Sequence, residues 1–87
     1  MAAVKRLVLT AHAQIRMRSR DIKPEWLEAA AREPQWIERE PNDPRIERRF
    51  RAIPDFGNRF LRVVCVETES TIRVISVMFD RSARPTS

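Results

Sequence analysis

The residues best suited to chemistry stand near the start of the chain, where the only histidine, His12, is followed by Arg16 and Arg20 at intervals of four. Residues four apart share one stripe of a helix, so these side chains are expected to line up. Imidazole exchanges protons near neutral pH, and a helix N-terminus favours its neutral, basic form. Two guanidiniums beside it can hold a phosphate and stabilise a pentacoordinate transition state. The spacing suits metal-free RNA cleavage, and it equally suits a solvated helix face.

A second group of cations lies between residues 45 and 51, where four arginines surround a single acid. At strand spacing, Arg49 and Arg51 lie on one face and Arg48 on the other, so no flat patch includes them all. Phenylalanines close to them in sequence can stack on bases if exposed, or belong to the core. The residues expected to position an RNA backbone are Arg16, Arg20, Arg49 and Arg51.

Two further arginines, Arg62 and Arg73, interrupt the most apolar segments of the chain. A charge in the middle of a sheet is costly unless it is paired or reaches a solvated groove. Pairing with a nearby acid such as Asp80 is one interpretation. In the other, Arg62 and Arg73 reach a solvated groove as catalytic or phosphate-binding residues, and Arg81 points into the same groove.

The elements that must position these side chains are two short helices followed by strands. Thr10 is suited to cap a helix over residues 11–20, while Pro24 and Pro34 begin and stop a second. The order predicts an α+β domain, with both helices on one face of a small, mostly antiparallel sheet of about four strands. A site would lie in an open groove on the other face. Strands are predicted over residues 35–40, 45–53, 60–66 and 71–79, the last two central, and residues 4–9 form a strand or an arm.

Length and composition exclude several classes of protein. Eighty-seven residues predict one domain over 1–87, with an ordered core over about 4–81 and a frayed tail over 82–87. One cysteine, one histidine and one glycine exclude a disulfide framework, a zinc-ligand set and glycine-rich phosphate loops. We therefore expect no metal and no cofactor. Without a membrane-spanning run or a secretory signal, the expected location is the cytoplasm.

The net charge of +5 points to an anionic partner. Residues 1–44 contain 8 cations and 7 acids, whereas residues 45–87 contain 9 and 5. The excess therefore lies in the C-terminal half. Arginine greatly outnumbers lysine, and its planar fork binds phosphate bidentately, although the codon usage of a GC-rich genome also explains that ratio.

Residues 9–22, from Leu9-Thr10-Ala11-His12 through Arg16-Met17 to Ile22, resemble the opening of a family of small, uncharacterised bacterial domains with the pattern T-x-HA-x-x-RM-x-x-R-x-I. Later segments look similar, so the resemblance covers residues 9–81. Asp21 departs from the pattern, because many members have Gly there. That family looks like a distant relative of the RelE/ParE/BrnT toxins, metal-free ribonucleases that are held in check by an antitoxin.

The resemblance implies a RelE/BrnT-like fold and a toxin-type, metal-independent RNA endonuclease, with RNA and an antitoxin-like protein as partners. His12 would be the general acid or base, and Arg62 and Arg81 would stabilise the phosphorane. The alternative is a non-catalytic basic module that docks RNA or an acidic protein. A homodimer through the edge of segment 35–40 is a third, although prolines at both ends of that segment argue against a long pairing edge.

Overall fold

The structure is a computed structural model that describes residues 4–85. It has the predicted α+β arrangement. The helices are α1 (Ala11–Ser19) and α2 (Pro24–Arg32), and a short 3-10 turn covers Pro54–Phe56. The strands are β1 (Arg6–Leu9), β2 (Trp36–Glu40), β3 (Asp43–Ile53), β4 (Arg59–Glu67) and β5 (Thr71–Phe79).

The five strands form one mixed sheet in the order β1-β5-β4-β3-β2. Strands β2 to β5 pair antiparallel, as predicted. The expected number of about four strands was too low, because β1 pairs in parallel with the first half of β5. A parallel pair needs a long connection, and the rest of the domain supplies it here. As expected, β4 and β5 occupy interior positions of the sheet.

The ends of α1 are set by local chemistry. The Thr10 hydroxyl accepts a hydrogen bond from a first-turn amide at 3.2 Å, as the predicted N-cap, and donates to the Ile75 carbonyl of β5 at 3.1 Å. At the other end, Asp21 has a φ of 50°, and the Ile22 amide donates to the Met17 carbonyl at 2.9 Å. This is the left-handed helix termination that glycine usually provides, so the departure at Asp21 keeps the turn.

The two helices bury different amounts of surface. On α1 only Ala13 is buried, and Ile15 is 58% exposed. On α2, Leu27, Ala30 and Ala31 are buried. Within residues 4–85, neither helix is long and apolar enough to cross a membrane.

The core lies between the helices and one face of the sheet. Burial alternates along β4, where Leu61, Val63 and Cys65 are fully buried beneath the helices. Burial also raises the pKa of the Cys65 thiol to about 11, so this thiol stays protonated and unreactive at neutral pH. Both helices pack on this face, which leaves the opposite face of the sheet, called here the open face, uncovered by a helix.

The segment after β5 returns to the sheet. The Asp80 carboxylate accepts hydrogen bonds from the Ser82 amide at 2.9 Å and from its hydroxyl at 2.7 Å, and Ala83 is only 7% exposed. This local turn packs Ala83 against the protein, and the frayed tail over residues 82–87 stays a prediction. Residues 86 and 87 lie outside the described residues.

Candidate functional site

An arginine-lined cleft lies at the end of the sheet where several elements terminate. Arg59 begins β4, Phe79 ends β5, Arg20 caps α1, and the 3-10 turn supplies Phe56. Two adjoining hollows of about 270 Å³ each open between these residues. Together they are called the end cleft, and their lining includes Arg20, Phe56, Arg59, Phe60, Phe79 and Arg81.

The three arginines of the end cleft have no acidic partner within residues 4–85, where the salt bridges involve other cations. The Arg59 guanidinium instead lies over the Phe56 ring, 5.0 Å from its centroid. Guanidinium groups without a carboxylate partner keep their hydrogen-bond donors available. The end cleft is therefore suited to an anion with several oxygen atoms, such as a phosphate.

Aromatic rings form one wall of the end cleft. The Phe56 ring is 40% exposed and lies 4.7 Å from Phe79 and 5.7 Å from Trp26, measured between ring centroids. Trp26 in turn packs against the core, so the wall rests on rigid structure. An exposed ring beside guanidinium groups offers a stacking surface for a nucleobase.

A second depression, the open-face groove, crosses the uncovered face of the sheet. Its floor holds Arg62, which forms a salt bridge of 3.1 Å with Asp80. This pairing is the one that the sequence offered as the alternative to a free groove arginine. Asp80 also lines the end cleft, so the two depressions adjoin. The lining of the open-face groove includes Glu38, Arg48, Phe50, Arg62, Asp80 and Arg84.

Asp80 is ionised where the two depressions meet. Hydrogen bonds from Ser82, with help from the nearby Arg62 charge, hold the pKa of the Asp80 carboxyl below its ordinary value. A carboxylate with a lowered pKa is a weak base at neutral pH. The lining of the two depressions contains no histidine, so this arrangement is better equipped to bind an anion than to move a proton.

The structure brings some of the predicted site residues together. Arg20 and Arg81 meet in the end cleft, and Arg62 lies in the adjoining groove. His12 and Arg16 line neither depression. At about 1.5 Å per residue, His12 lies about 12 Å along α1 from Arg20. The helix stripe therefore reaches the end cleft only at its C-terminal end.

Arg49 and Arg51 are turned to the helix side of β3 and are occupied there. The Arg49 guanidinium is 8% exposed and donates to Glu47 at 2.7 Å, to Glu67 at 2.6 Å and to the Ala31 carbonyl at 2.6 Å. Arg51 donates to a backbone carbonyl at the end of α2 at 2.6 Å. In this structure the donors of both side chains hold helix α2 on the sheet, and a contact of either one with an RNA backbone stays a prediction.

Sequence reasoning missed Arg59 and Arg84. A signal for Arg59 was present, since it opens the strand after a predicted hairpin loop and Arg81 follows the last strand. Antiparallel neighbours bring the start of one strand to the end of the next, so these two cations had to meet. No such local signal places Arg84, because its position depends on how the chain turns after Asp80.

Residues 9–79 match the sequence model of a family described as a domain of unknown function, DUF4258. The chain belongs to this family. The resemblance to an uncharacterised domain family is thus confirmed, and the match includes Arg20, Arg59 and Arg62 but ends before Arg81. No curated protein and no solved structure matches the chain. Within residues 4–85, this DUF4258 domain has no group of three or more His, Cys, Asp or Glu residues that could hold a metal ion.

Proposed function

We propose that the protein binds single-stranded RNA in the end cleft. The observation that carries this proposal is the convergence of Arg20, Arg59 and Arg81, none with an acidic partner in residues 4–85, around the exposed ring of Phe56. Phosphate groups would lie between the guanidinium forks, and a base would stack on the aromatic wall.

A single strand fits the end cleft better than a duplex. Stacking on Phe56 requires an unpaired base whose face is free, and duplex bases are stacked on one another. The cleft is also a concave pocket at the end of the sheet rather than a helix face that could enter a groove of a duplex. The sequence resemblance to RelE-like ribonucleases favours RNA over DNA.

The test is fluorescence anisotropy with a labelled single-stranded RNA and its 2′-deoxy analogue in excess EDTA. The variant combines Arg20→Gln, Arg59→Gln and Arg81→Gln, which removes three charges while leaving the core untouched. Each lost charge-assisted contact weakens binding by about tenfold, so we expect a loss of at least ~100-fold.

The matched control is Arg45→Gln, which removes an exposed arginine at the opposite end of the β3–β4 ladder. Binding by this variant is expected to stay within about twofold of the parent. An equal loss per removed charge in both variants would mean that net charge alone attracts RNA, and the end cleft would lose its role. Salt-sensitive binding of an acidic protein but not of RNA would favour the docking module instead.

A second candidate function is metal-independent RNA cleavage where the end cleft meets the open-face groove. The observation that favours it is Arg62, a cation held beside the cleft that can stabilise a phosphorane together with Arg81. The attacking group would be the 2′-hydroxyl of the RNA itself, so the 2′-deoxy analogue should bind and stay intact. His12, the general acid or base expected from the sequence, lines neither depression, so this candidate has arginines for charge stabilisation but no histidine beside the junction.

The same incubation tests cleavage when its products are separated on a gel. If His12 transfers the proton, His12→Ala lowers the rate by at least ~100-fold while binding is kept. An unchanged rate would remove His12 from the reaction. Intact RNA under conditions where anisotropy shows binding would leave RNA binding as the function and end the cleavage proposal for isolated RNA.

A further inference from the structure

The guanidinium of Arg62 has fewer good acceptors than its position requires. One terminal nitrogen donates to Asp80 at 3.1 Å, and the other contacts the sulfur of Met78, which is a weak acceptor. The Nε atom is buried and has no partner. The terminal nitrogen that contacts Met78 is at the exposed side of the guanidinium, so it would gain from an anionic oxygen in place of the sulfur.

Other arginines of the sheet differ in this respect. Arg48 donates two hydrogen bonds to the Glu40 carboxylate, and Arg49 is bonded to two carboxylates and a carbonyl. Both are therefore saturated by the protein. Arg62 lies in the same sheet, yet a single carboxylate oxygen is its only strong acceptor within residues 4–85.

A second arginine, Arg84, lines the same groove and has no carboxylate partner within the described residues. Its guanidinium contacts only the backbone carbonyls of Arg81 and Ala83 within the described residues. The buried methyl group of Ala83 holds this segment against the protein and so keeps Arg84 at the groove. Arg62 and Arg84 thus approach one groove from the sheet and from the C-terminal segment.

The acids of the groove are already engaged. The Asp80 carboxylate accepts hydrogen bonds from Ser82 and Arg62, and the Glu38 carboxylate accepts one from the Trp36 indole at 3.1 Å. Their charges oppose an incoming anion. Arg84 adds a cation that neither acid pairs with, so the local balance still permits a phosphate.

The open-face groove begins where the end cleft stops. Phe60 of the cleft and Arg62 of the groove point to the same face of β4, about 7 Å apart along the strand. Asp80 lines both depressions. An RNA strand that leaves the end cleft past Phe60 therefore reaches Arg62 next.

We infer that the open-face groove is a second phosphate subsite, in which Arg62 and Arg84 bind a later phosphate of the RNA strand held in the end cleft. The inference rests on the proposed function and adds a direction to it. The RNA strand runs from the end of the sheet onto the open face. The C-terminal segment forms one wall of this path, so nucleotides that extend beyond the end cleft contribute to affinity.

The test compares oligoadenylates from the dinucleotide to the octanucleotide by fluorescence anisotropy. For the full chain we expect affinity to rise with length beyond the dinucleotide. Arg84→Gln and Arg62→Gln should each weaken octanucleotide binding by about tenfold and leave dinucleotide binding nearly unchanged. Each should also reduce the slope of log affinity against log salt by about 0.7 for the octanucleotide.

Of the two variants, Arg84→Gln is expected to fold like the parent, because Arg84 is exposed and makes only local contacts. Arg62, in contrast, is partly buried. The matched control is Arg32→Gln on the outer face of α2, paired with Glu28. Dinucleotide binding with no length dependence, or octanucleotide binding indifferent to Arg84→Gln, would overturn the subsite and leave the proposed function standing. Failure of the dinucleotide and the octanucleotide to bind would instead overturn the proposed function.

Discussion

At the scale of single residues, the surroundings of each arginine decide what it does. Arg49 and Arg62 both lie within central strands and look alike in the sequence. Arg49 faces the helices, where Glu47, Glu67 and the Ala31 carbonyl surround it. Arg62 faces the open side with one carboxylate partner. The first holds the fold together, and the second is the residue that we propose binds a phosphate. The alternation of side chains along a strand places them on opposite faces of the sheet.

Replacing Arg49 with methionine is expected to lower the free energy of unfolding by about 3 kcal/mol. The substitution leaves the largely buried Glu47 carboxylate with only the exposed Arg39 as a cationic partner, and it removes the side-chain donor to the Ala31 carbonyl of α2. Urea denaturation followed by circular dichroism measures the loss. Arg51→Met is the comparison, with an expected loss below about 1 kcal/mol, because Arg51 makes a single hydrogen bond to a backbone carbonyl. Equal losses would show that the Arg49 network adds nothing.

At the scale of elements, α1 is anchored by its ends rather than by its length. Thr10 ties its start to β5, and Ile22 closes its last turn against the core. Between these points the helix buries little. Arg20, which lines the end cleft, comes directly before the left-handed residue Asp21. The geometry of this turn therefore positions one of the three cleft cations.

Asp21→Gly is expected to stabilise the protein by about 0.5–1 kcal/mol, because glycine adopts a positive φ without the steric cost that a side chain carries. A thermal melt is expected to show a rise in Tm, with RNA affinity unchanged. The control is Asp55→Gly, at an exposed residue of the 3-10 turn outside the left-handed region. That change is expected to destabilise. A fall in Tm for Asp21→Gly would mean that the Asp21 side chain does more than occupy the turn.

At the scale of the whole molecule, a few carboxylates pair with the more numerous cations and join separate segments of the chain. Hydrogen bonds from Lys5 and Arg49 lower the pKa of Glu67, and those from Ser82 lower the pKa of Asp80. Glu67 joins the N-terminal segment to β3, and Asp80 joins the C-terminal segment to β4. The segments that contain Lys5 and Ser82 are therefore held to the sheet by ionised acids.

A low pH is expected to weaken the interactions that Glu67 and Asp80 make with these two segments. Folded pKa values below the ordinary 4.5 of Glu67 and 3.8 of Asp80 mean that their stabilisation is complete above those values and is lost as the pH falls through the lower, folded ones. Asp80→Asn should therefore be less stable than the parent at neutral pH. The difference between their Tm values should shrink below pH 3.8.

Thermal melts across this pH range measure the effect. The control is Glu69→Gln, at an exposed loop carboxylate that forms no salt bridge within the described residues. This variant should follow the parent at every pH. A constant Tm difference between Asp80→Asn and the parent at all pH values would contradict the assigned role of the Asp80 charge.

What the sequence determined by itself is the set of local elements. Thr10, Pro24 and Pro34 mark the helix ends because capping and the missing proline amide act within one turn of the chain. The density of apolar residues in β4 and β5 places them inside the sheet. The strands and hairpins from residue 36 to residue 79 follow from short-range signals of the same kind.

Only the tertiary structure decided which surface each of these elements presents. The parallel pairing of β1 with β5, the burial of Arg49 and the return of Ala83 all join residues far apart in the chain or depend on strand parity. Local propensity does not specify such contacts. The end cleft has the same origin, because Arg20, Arg59 and Arg81 belong to separate elements. Packing brings the ends of these elements together and so forms the end cleft.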